Sequence, residues 1–452
     1  MKKTGIDCNR LLILADDLTG ALDTGVQFAK KGFKTTVSLS PDNFSRGDAA
    51  VYVINTNTRH TDAREAKKIV KAAVSGFTGN STENTNIFIY KKTDSCLRGN
   101  IGAELEAVMK AAQSSLLPFI PAYPRLNRTT LKGRQYIDDI PIEKSGMAND
   151  PLNPITESYI PLIIAKQSKV QVISISDLSE GSFISSKGIL LFDSEKTSQL
   201  KTIAKWLYKN NLLKFTAGCA GFAETLAGIL PLEKNVTSSV SNLHTGKSSA
   251  EKYFAKKYHA KKYPVLIISG SLHPVSVNQI KAAVNDGNRS FTLNAAEITK
   301  TGWTKSREAG LVVNNTAAAL REKHIAIIGT DAALGKNGVR LSEGVSEQIP
   351  DIIGPIIKKI IAKTGPVHLV VFGGDTLLGV MKSLMYNCIL PITEIKPGVV
   401  LSMTEKGGSL LVSKAGAFGG RNIIGKILEF FEVEQCTNIK PGEHARQKSD
   451  SK

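Results

Sequence analysis

The stretch Leu11-Leu12-Ile13-Leu14-Ala15-Asp16-Asp17-Leu18-Thr19-Gly20-Ala21-Leu22-Asp23-Thr24-Gly25 decides the fold class. Its short apolar run predicts a buried strand, and that strand stops at two adjacent carboxylates. A Thr-Gly turn and a helical pattern follow, running to about Lys31 ahead of Gly32. In an open parallel sheet, ligands bind at the carboxyl ends of the strands. Asp16 and Asp17 are therefore delivered to a ligand crevice, where their desolvation must be offset. One of them can cap the helix, since Asp is a preferred N-cap. The second needs another job.

Outward from this unit the chain repeats the alternation. Strand-like runs occur at Val51–Ile54, Ile87–Tyr90, Leu116–Ile120 and Ile189–Phe192, with helical patterns such as Ala63–Val74 and Ala103–Ala112 between several of them. That order predicts an α/β fold with a largely parallel sheet flanked by helices. The segment 121–161, rich in Pro, Arg, Asn and Asp, reads as an ordered excursion or flap. A polar stretch near 233–262, with a helical pattern at Ser249–His259, reads as a link between domains. A second series begins at Val265–Ser269 and continues through Ile325–Thr330, His368–Phe372 and Ser409–Lys414 to a helix near Asn422–Phe431. The expected organisation is an N-terminal domain over 1–235, a linker over 236–262, a C-terminal domain over 263–435 and a disordered basic tail over 436–452.

Composition narrows the class. A chain of 452 residues is long for one core, so two domains are expected. No apolar run approaches the ~20 residues of a membrane helix. Met1-Lys2-Lys3 mimics a signal n-region, but the apolar stretch that follows is too short, and a cytoplasmic protein is expected. The five cysteines are scattered without a CxxC pair, which points away from disulfides and zinc. The seven histidines form no HxxxH or HExxH pattern, so no protein-bound metal is expected. A formal charge of +18 favours anionic partners. Aromatics are only 6%, and no nucleic-acid motif occurs.

The second half carries three strand-to-glycine turns: Ser269-Gly270-Ser271, Gly373-Gly374-Asp375-Thr376, and Gly416-Ala417-Phe418-Gly419-Gly420. Backbone amides freed at such turns favour phosphate oxygens, and glycine permits close approach. Asp375 suits either a Mg²⁺ contact or a helix cap, and Lys414 can neutralise a phosphate charge. Gly329 to Asn337 imitates a Walker A loop but has five residues between its glycines and Asn337 where Ser or Thr belongs. In the first half Arg59, Lys92, Asp94, Ser95 and Arg98 fall near the same strand-end edge as Asp16 and Asp17. Arginine can hold a carboxylate bidentately. A carboxylate that accepts a proton from an attacking hydroxyl would complete a phosphoryl-transfer site, and either Asp16 or Asp17 suits that role.

These residues resemble the motifs of the four-carbon acid sugar kinases, ATP-dependent enzymes that phosphorylate the 4-hydroxyl of threonate, erythronate or oxo-tetronates. Ala-Asp-Asp-Leu-Thr-Gly-Ala at 15–21 opens the set. Thr58-Arg59, Lys91 to Asn100, Pro121 to Pro124, Asp150 to Pro154 and Ala217 to Gly221 follow in the family's order. The glycine turns, Pro397-Gly398-Val399 and Lys414 to Gly419 complete it. The resemblance implies that Asp16, Arg59 and the stretch Lys92, Thr93, Asp94, Ser95 contact the acid. It also implies that the C-terminal domain binds ATP with Mg²⁺, and that the active site lies in the interdomain cleft. Cys96 stands where the family usually has Thr, Asn127 where Gly is more usual, and Ala415 where Ser is usual. The expected partners are the sugar acid and ATP, with neither nucleic acid nor membrane, and a homodimer is compatible. Two rival readings remain. A nicotinamide-dependent dehydrogenase lacks its G-x-G-x-x-G fingerprint here. A non-catalytic basic binding protein leaves the order of the motifs unexplained.

Overall fold

The computed structural model describes residues 9–45, 47–79, 87–148, 154–178, 186–233, 263–335 and 345–431. The expected linker 236–262, the helix Ser249–His259, the tail 436–452, the motif residues Asp150 to Asn153, and Lys336 and Asn337 of the Walker-like stretch lie outside the described residues. The chain forms two compact units: Met1–Lys257 with Met385–Glu394 and Gly398–Gly408, and Tyr258–Leu384 with Ile395–Pro397 and Ser409–Lys452. The first unit thus incorporates two short segments from late in the sequence.

The main sheet of the first unit contains β1 (Arg10–Ala15), β2 (Thr35–Ser38), β3 (Val51–Asn55), β4 (Ile87–Lys92) and β5 (Leu116–Ile120). A small antiparallel sheet of β6 (Arg128–Leu131), β7 (Arg134–Ile137) and β8 (Ile140–Pro141) occupies the expected flap. β9 (Val172–Ile175), β10 (Gly188–Phe192) and β11 (Phe215–Gly218) return to the main sheet. Helices α1 (Leu18–Ala29), α2 (Ala63–Thr78), α3 (Ile101–Ala111), α4 (Ile160–Ala165), α5 (Thr197–Lys209) and α6 (Ala220–Leu226) lie between the strands in sequence.

Strand order puts β1 between β3 and β4, with β2 beyond β3, and β11, β5, β10 and β9 beyond β4. The pairings across these strands are parallel. Leu12, Ile13 and Leu14 are fully buried, as expected for a central strand covered on both faces. Each such side chain contributes about 1.5–3 kcal/mol of transfer free energy. Beyond β2 the sheet gains β16 (Cys388–Lys396), which pairs antiparallel with Ile389 opposite Val37, and then β17 (Val399–Thr404).

The second unit repeats the plan at smaller size. Its strands are β12 (Val265–Ser269), β13 (Ser290–Leu293), β14 (Ile325–Thr330), β15 (His368–Phe372) and β18 (Leu410–Lys414), ordered β13-β14-β12-β15-β18. All of these neighbours are parallel. Its helices are α7 (Pro274–Asn285), α8 (Ala295–Ile298), α9 (Arg307–Lys323), α10 (Val345–Thr364), α11 (Gly374–Ser383) and α12 (Ile423–Phe430). No helix among the described residues is long and apolar enough to cross a membrane.

Candidate functional site

Both units reverse their winding beside their first strand. In the first unit the chain builds β2 and β3 on one side of β1, then β4 on the other. In the second it builds β13 and β14 on one side of β12, then β15 on the other. The crevice outside the strand ends at such a switch point is where open α/β sheets bind ligands. Register fixes what faces it: Ala15 pairs with Lys92, and Ser269 with Phe372. The segments leaving these positions are Asp16-Asp17 and Thr93-Asp94 in one unit, and Gly270-Ser271 and Gly373-Gly374 in the other.

In the first unit the expected residues gather around Arg59. Its Nε donates to Asp16 Oδ2 at 2.7 Å and its Nη2 to Asp17 Oδ1 at 2.7 Å. Asp17 also caps α1, accepting from Gly20 N at 3.0 Å and from Thr19 Oγ1. Burial works against ionisation of Asp16, but Arg59, Lys91 and Lys92 outweigh it and hold its carboxyl below the usual range. Asp94 is a second such case. Arg98 grips it through Nε at 2.8 Å and Nη2 at 3.1 Å, and Arg59 lies 3.9 Å away. Burial again opposes ionisation, and the two arginines reverse it. Both guanidinium forks expected to meet the substrate therefore already hold protein carboxylates.

Lys92 differs. Its side chain is buried, yet its ammonium makes no hydrogen bond or ion pair among the described residues. It lies over the first turn of α1, where a Cβ at Gly20 would stand 2.9 Å from Nζ and 2.5 Å from Asp17 Oδ1. Glycine is required here because any side chain would push into the ammonium. Beside it, Arg128 Nη1 donates to Ser95 Oγ, and Thr93 Oγ1 is buried with no partner among the described residues.

A layer beneath this cluster keeps it in place. Lys91 is wholly buried, 3.0 Å from Glu104 Oε2, and donates to the carbonyls of Leu14 at 3.3 Å and Lys92 at 2.7 Å. Burial raises the Glu104 carboxyl against the pull of Lys91. Thr58 Oγ1 donates to Glu104, and Thr56 Oγ1 donates to the Ala15 carbonyl at 2.9 Å, fixing the loop that carries Arg59. Asn127 has φ 53° and donates through Nδ2 to Asp138 at 2.9 Å. Asn is among the side chains best tolerated in that left-handed region, which explains why it can stand where the resembled family favours Gly. Cys96 is buried in the apolar core, with burial pushing its thiol up.

Sequence reading did not single out Asp23. It lies one turn beyond Gly20 on α1, within reach of Lys92, Arg128, Glu394 and Asp17, and burial first, then Glu394, pushes its carboxyl up to about 7. The signal available was spacing: Gly20 and Asp23 at i and i+3 place an acid and a bare backbone on one helical face. Glu394 had no such signal, because it reaches the first unit from late in the chain, where it meets Lys30 at 2.8 Å.

In the second unit the three glycine turns come together. A Cβ on Gly270 would strike Thr376 Oγ1, and one on Gly416 would lie 2.8 Å from His273 Cβ and 3.2 Å from Ser271 Oγ. Gly373, at φ 111°, stands before the first turn of α11, where Asp375 is exposed. His273 caps α7, its Nδ1 accepting from Val275 N at 3.2 Å. Two helix N-termini thus open at one switch point, a ready anion site. Ser269 Oγ is buried there without a partner among the described residues. Lys414 is fully buried, and its Nζ donates to Ser276 Oγ, Ala415 O and Gly416 O, each at 3.0 Å. Burial lowers it to about 7. Gly419, at φ 82°, belongs to the turn that Gln279 holds, with Nε2 donating to the Gly419 carbonyl at 2.8 Å. Beside it a cavity of about 600 Å³ is lined by Gln279, Asp286, Arg421, Asn422, Ile424 and Leu428 among others.

Comparison with known proteins fits this division. Residues 11–226 match the sugar-binding N-terminal domain family and residues 266–424 the nucleotide-binding C-terminal domain family. The D-threonate kinase of Salmonella typhimurium is 28% identical, over 94% of this chain and 99% of its own. The D-erythronate kinase of Heliobacterium modesticaldum is 26% identical, over 96% and 100%. A 3-oxo-tetronate kinase of Pseudomonas savastanoi pv. phaseolicola is 25% identical, over 92% and 96%. The crystal structure of Haemophilus influenzae protein HI1011 shares the fold, with a TM-score of 0.65 at 19% identity, over 93% of this chain and 100% of that one. With sugar-binding and nucleotide-binding domains in sequence and relatives matched over nearly their whole length, this chain belongs to the four-carbon acid sugar kinase family.

Proposed function

We propose that this enzyme transfers the γ-phosphoryl group of ATP to the 4-hydroxyl of a four-carbon sugar acid of the threonate, erythronate or oxo-tetronate type. The observation that carries the reading is the pair of switch points. One presents a buried cation, Lys92, without a partner among the described residues, and the other presents two helix N-termini and crowded glycine turns. The acid's carboxylate and hydroxyls suit Lys92, Arg128, Thr93 and Ser95, while Arg59 and Arg98 act by fixing Asp16, Asp17 and Asp94 around them. The triphosphate suits the amides of Ser271, Gly374 and Thr376, while Gly270 and Gly373, whose own amides donate to the Phe372 and Lys414 carbonyls at 3.1 Å each, let it approach the backbone closely. The cavity beside the Gly416–Gly420 turn has room for a purine base.

Magnesium fits this donor set. Asp375 is an exposed carboxylate in the first turn of α11, next to Thr376, whose hydroxyl faces Gly270, and Mg²⁺ is commonly held by one or two carboxylates plus substrate phosphates. When bound, the ion supplies charge neutralisation at the phosphates. A cytoplasmic setting, where ATP is supplied, belongs to the same reading.

The test is ADP release with ATP·Mg²⁺ against D-threonate, D-erythronate and their oxo forms, with mass spectrometry of the product. Acid-dependent release and a monophosphorylated acid are expected. Silence across the panel with ATP binding intact would overturn the acceptor class.

A further inference from the structure

Phosphoryl transfer needs a group to take the proton of the attacking hydroxyl, and the two aspartates at the end of β1 are poorly placed to do so. Asp17 gives its oxygens to Arg59, Gly20 N and Thr19. Asp16 retains one oxygen, Oδ1, without a partner among the described residues, but Arg59 and two lysines hold it firmly ionised, which makes it a weak base.

We propose that Asp23 is the proton acceptor for the sugar acid's reacting hydroxyl. This rests on the kinase reading above and deepens it. The argument begins with hydrogen bonding. Asp23 Oδ1 is buried without a partner, and no hydrogen bond to either carboxylate oxygen occurs among the described residues; only its backbone carbonyl is engaged, by Gln27 Nε2 at 2.9 Å. A carboxylate in such a position is costly to keep unless a ligand completes it. Placement is the second argument. Asp23 lies one turn along α1 from Gly20, the residue over which the Lys92 ammonium sits. A hydroxyl acid bound to Lys92 would therefore have Asp23 on the same helical face.

The groups facing Asp23 come from every neighbouring element: Asp17 at the start of α1, Lys92 on β4, Arg128 on β6, and Glu394 on β16. Tyr123 and Cys219, after β5 and β11, face it as well. Burial and the Glu394 carboxylate outweigh the two cations, leaving the group to titrate at about 7, where a general base is most effective. In the step itself, a lone pair of the hydroxyl oxygen forms the new O–P bond. The bond from the γ-phosphorus to its bridging oxygen breaks, with the electron pair leaving on ADP, and the hydroxyl proton passes to the Asp23 carboxylate.

The experiment is the pH dependence of kcat/KM for the acid, for the full-length enzyme and for Asp23→Asn, using whichever acid the substrate panel selects. The wild type should show an acid limb of unit slope below about pH 7. Asp23→Asn should lower kcat by about 10²–10⁴-fold and abolish that limb, with the KM for the acid little changed. Retention of wild-type kcat, or persistence of the limb in the variant, would overturn the assignment. A wild type that turns over with no acid limb would do so without any mutation. If Asp23→Asn does not fold, Asp23→Glu replaces it: the limb must survive at a reduced rate, and its loss overturns the proposal. A wild type with no acid-dependent ADP release would instead sink the kinase reading itself.

Discussion

The two units solve the same topological problem with opposite chemistry. Each places its second and third strands on one side of its first, crosses to the other side with its fourth, and leaves a crevice at the strand ends. The first fills that crevice with ionic side chains: Asp16, Asp17, Arg59, Lys92, Asp94 and Arg98 are all wholly or mostly buried. The second fills it with glycine and backbone amides, and its buried Lys414 is turned onto its own loop. Side chains can be aimed at individual hydroxyls and a carboxylate, so the first arrangement suits a small acid that differs from its relatives by one stereocentre. Amides at helix ends recognise phosphate wherever it is offered, so the second suits a common donor.

Arg59→Ala should break this contrast most severely. It would strand Asp16 and Asp17 without their shared cation, and removing one partner of a buried pair costs about 3–5 kcal/mol. Urea unfolding of the first unit should shift accordingly, while nucleotide binding at the second stays intact. A loss below about 1 kcal/mol would mean that the cluster behaves like an exposed one.

Gly270→Ala should act in the opposite unit. Its new methyl would meet the Thr376 hydroxyl, and overpacking of this kind costs about 1–3 kcal/mol. Calorimetric titration should show weakened nucleotide binding with sugar-acid binding unaltered. Unchanged nucleotide affinity would remove the glycine turns from the phosphate site.

The third test concerns Lys414 and is read along pH. Its amine titrates at about 7 in the folded protein against 10.5 ordinarily. Between those values the unfolded chain binds the extra proton, so stability should rise as pH increases from about 7 towards 10.5. Lys414→Met should flatten that part of the thermal-melt profile. If the slope persists in the variant, another group is responsible.

Much of this was legible beforehand, for identifiable reasons. β12, β14 and β15 coincide with the apolar runs at 265–269, 325–330 and 368–372, because buried parallel strands are continuous hydrophobic stretches. β4 runs on to Lys92, two residues past its apolar part, because Glu104 neutralises Lys91 inside the core. β11 gives no such signal, being Phe-Thr-Ala-Gly. α10 contains Pro350 and Pro355, residues that normally predict a break. In the site, Asp16 and Arg59 were recognisable as neighbours at one strand-end edge. Which cation keeps a free hand was not, since pairing of Arg59 and Arg98 with carboxylates depends on side-chain direction rather than on sequence position.

The hairpin strands β16 and β17 carry a consequence for how the enzyme comes into being. They close the edge of β2, with the Leu39 amide donating to the Asn387 carbonyl at 3.0 Å, and they deliver Glu394 to the neighbourhood of Asp23. On the ribosome, therefore, the sugar-binding unit waits with a bare strand edge until more than 400 residues have been made. An unpaired edge of that kind is a template for wrong partners. Nascent chains stalled before residue 385 should be the form that depends most on chaperones.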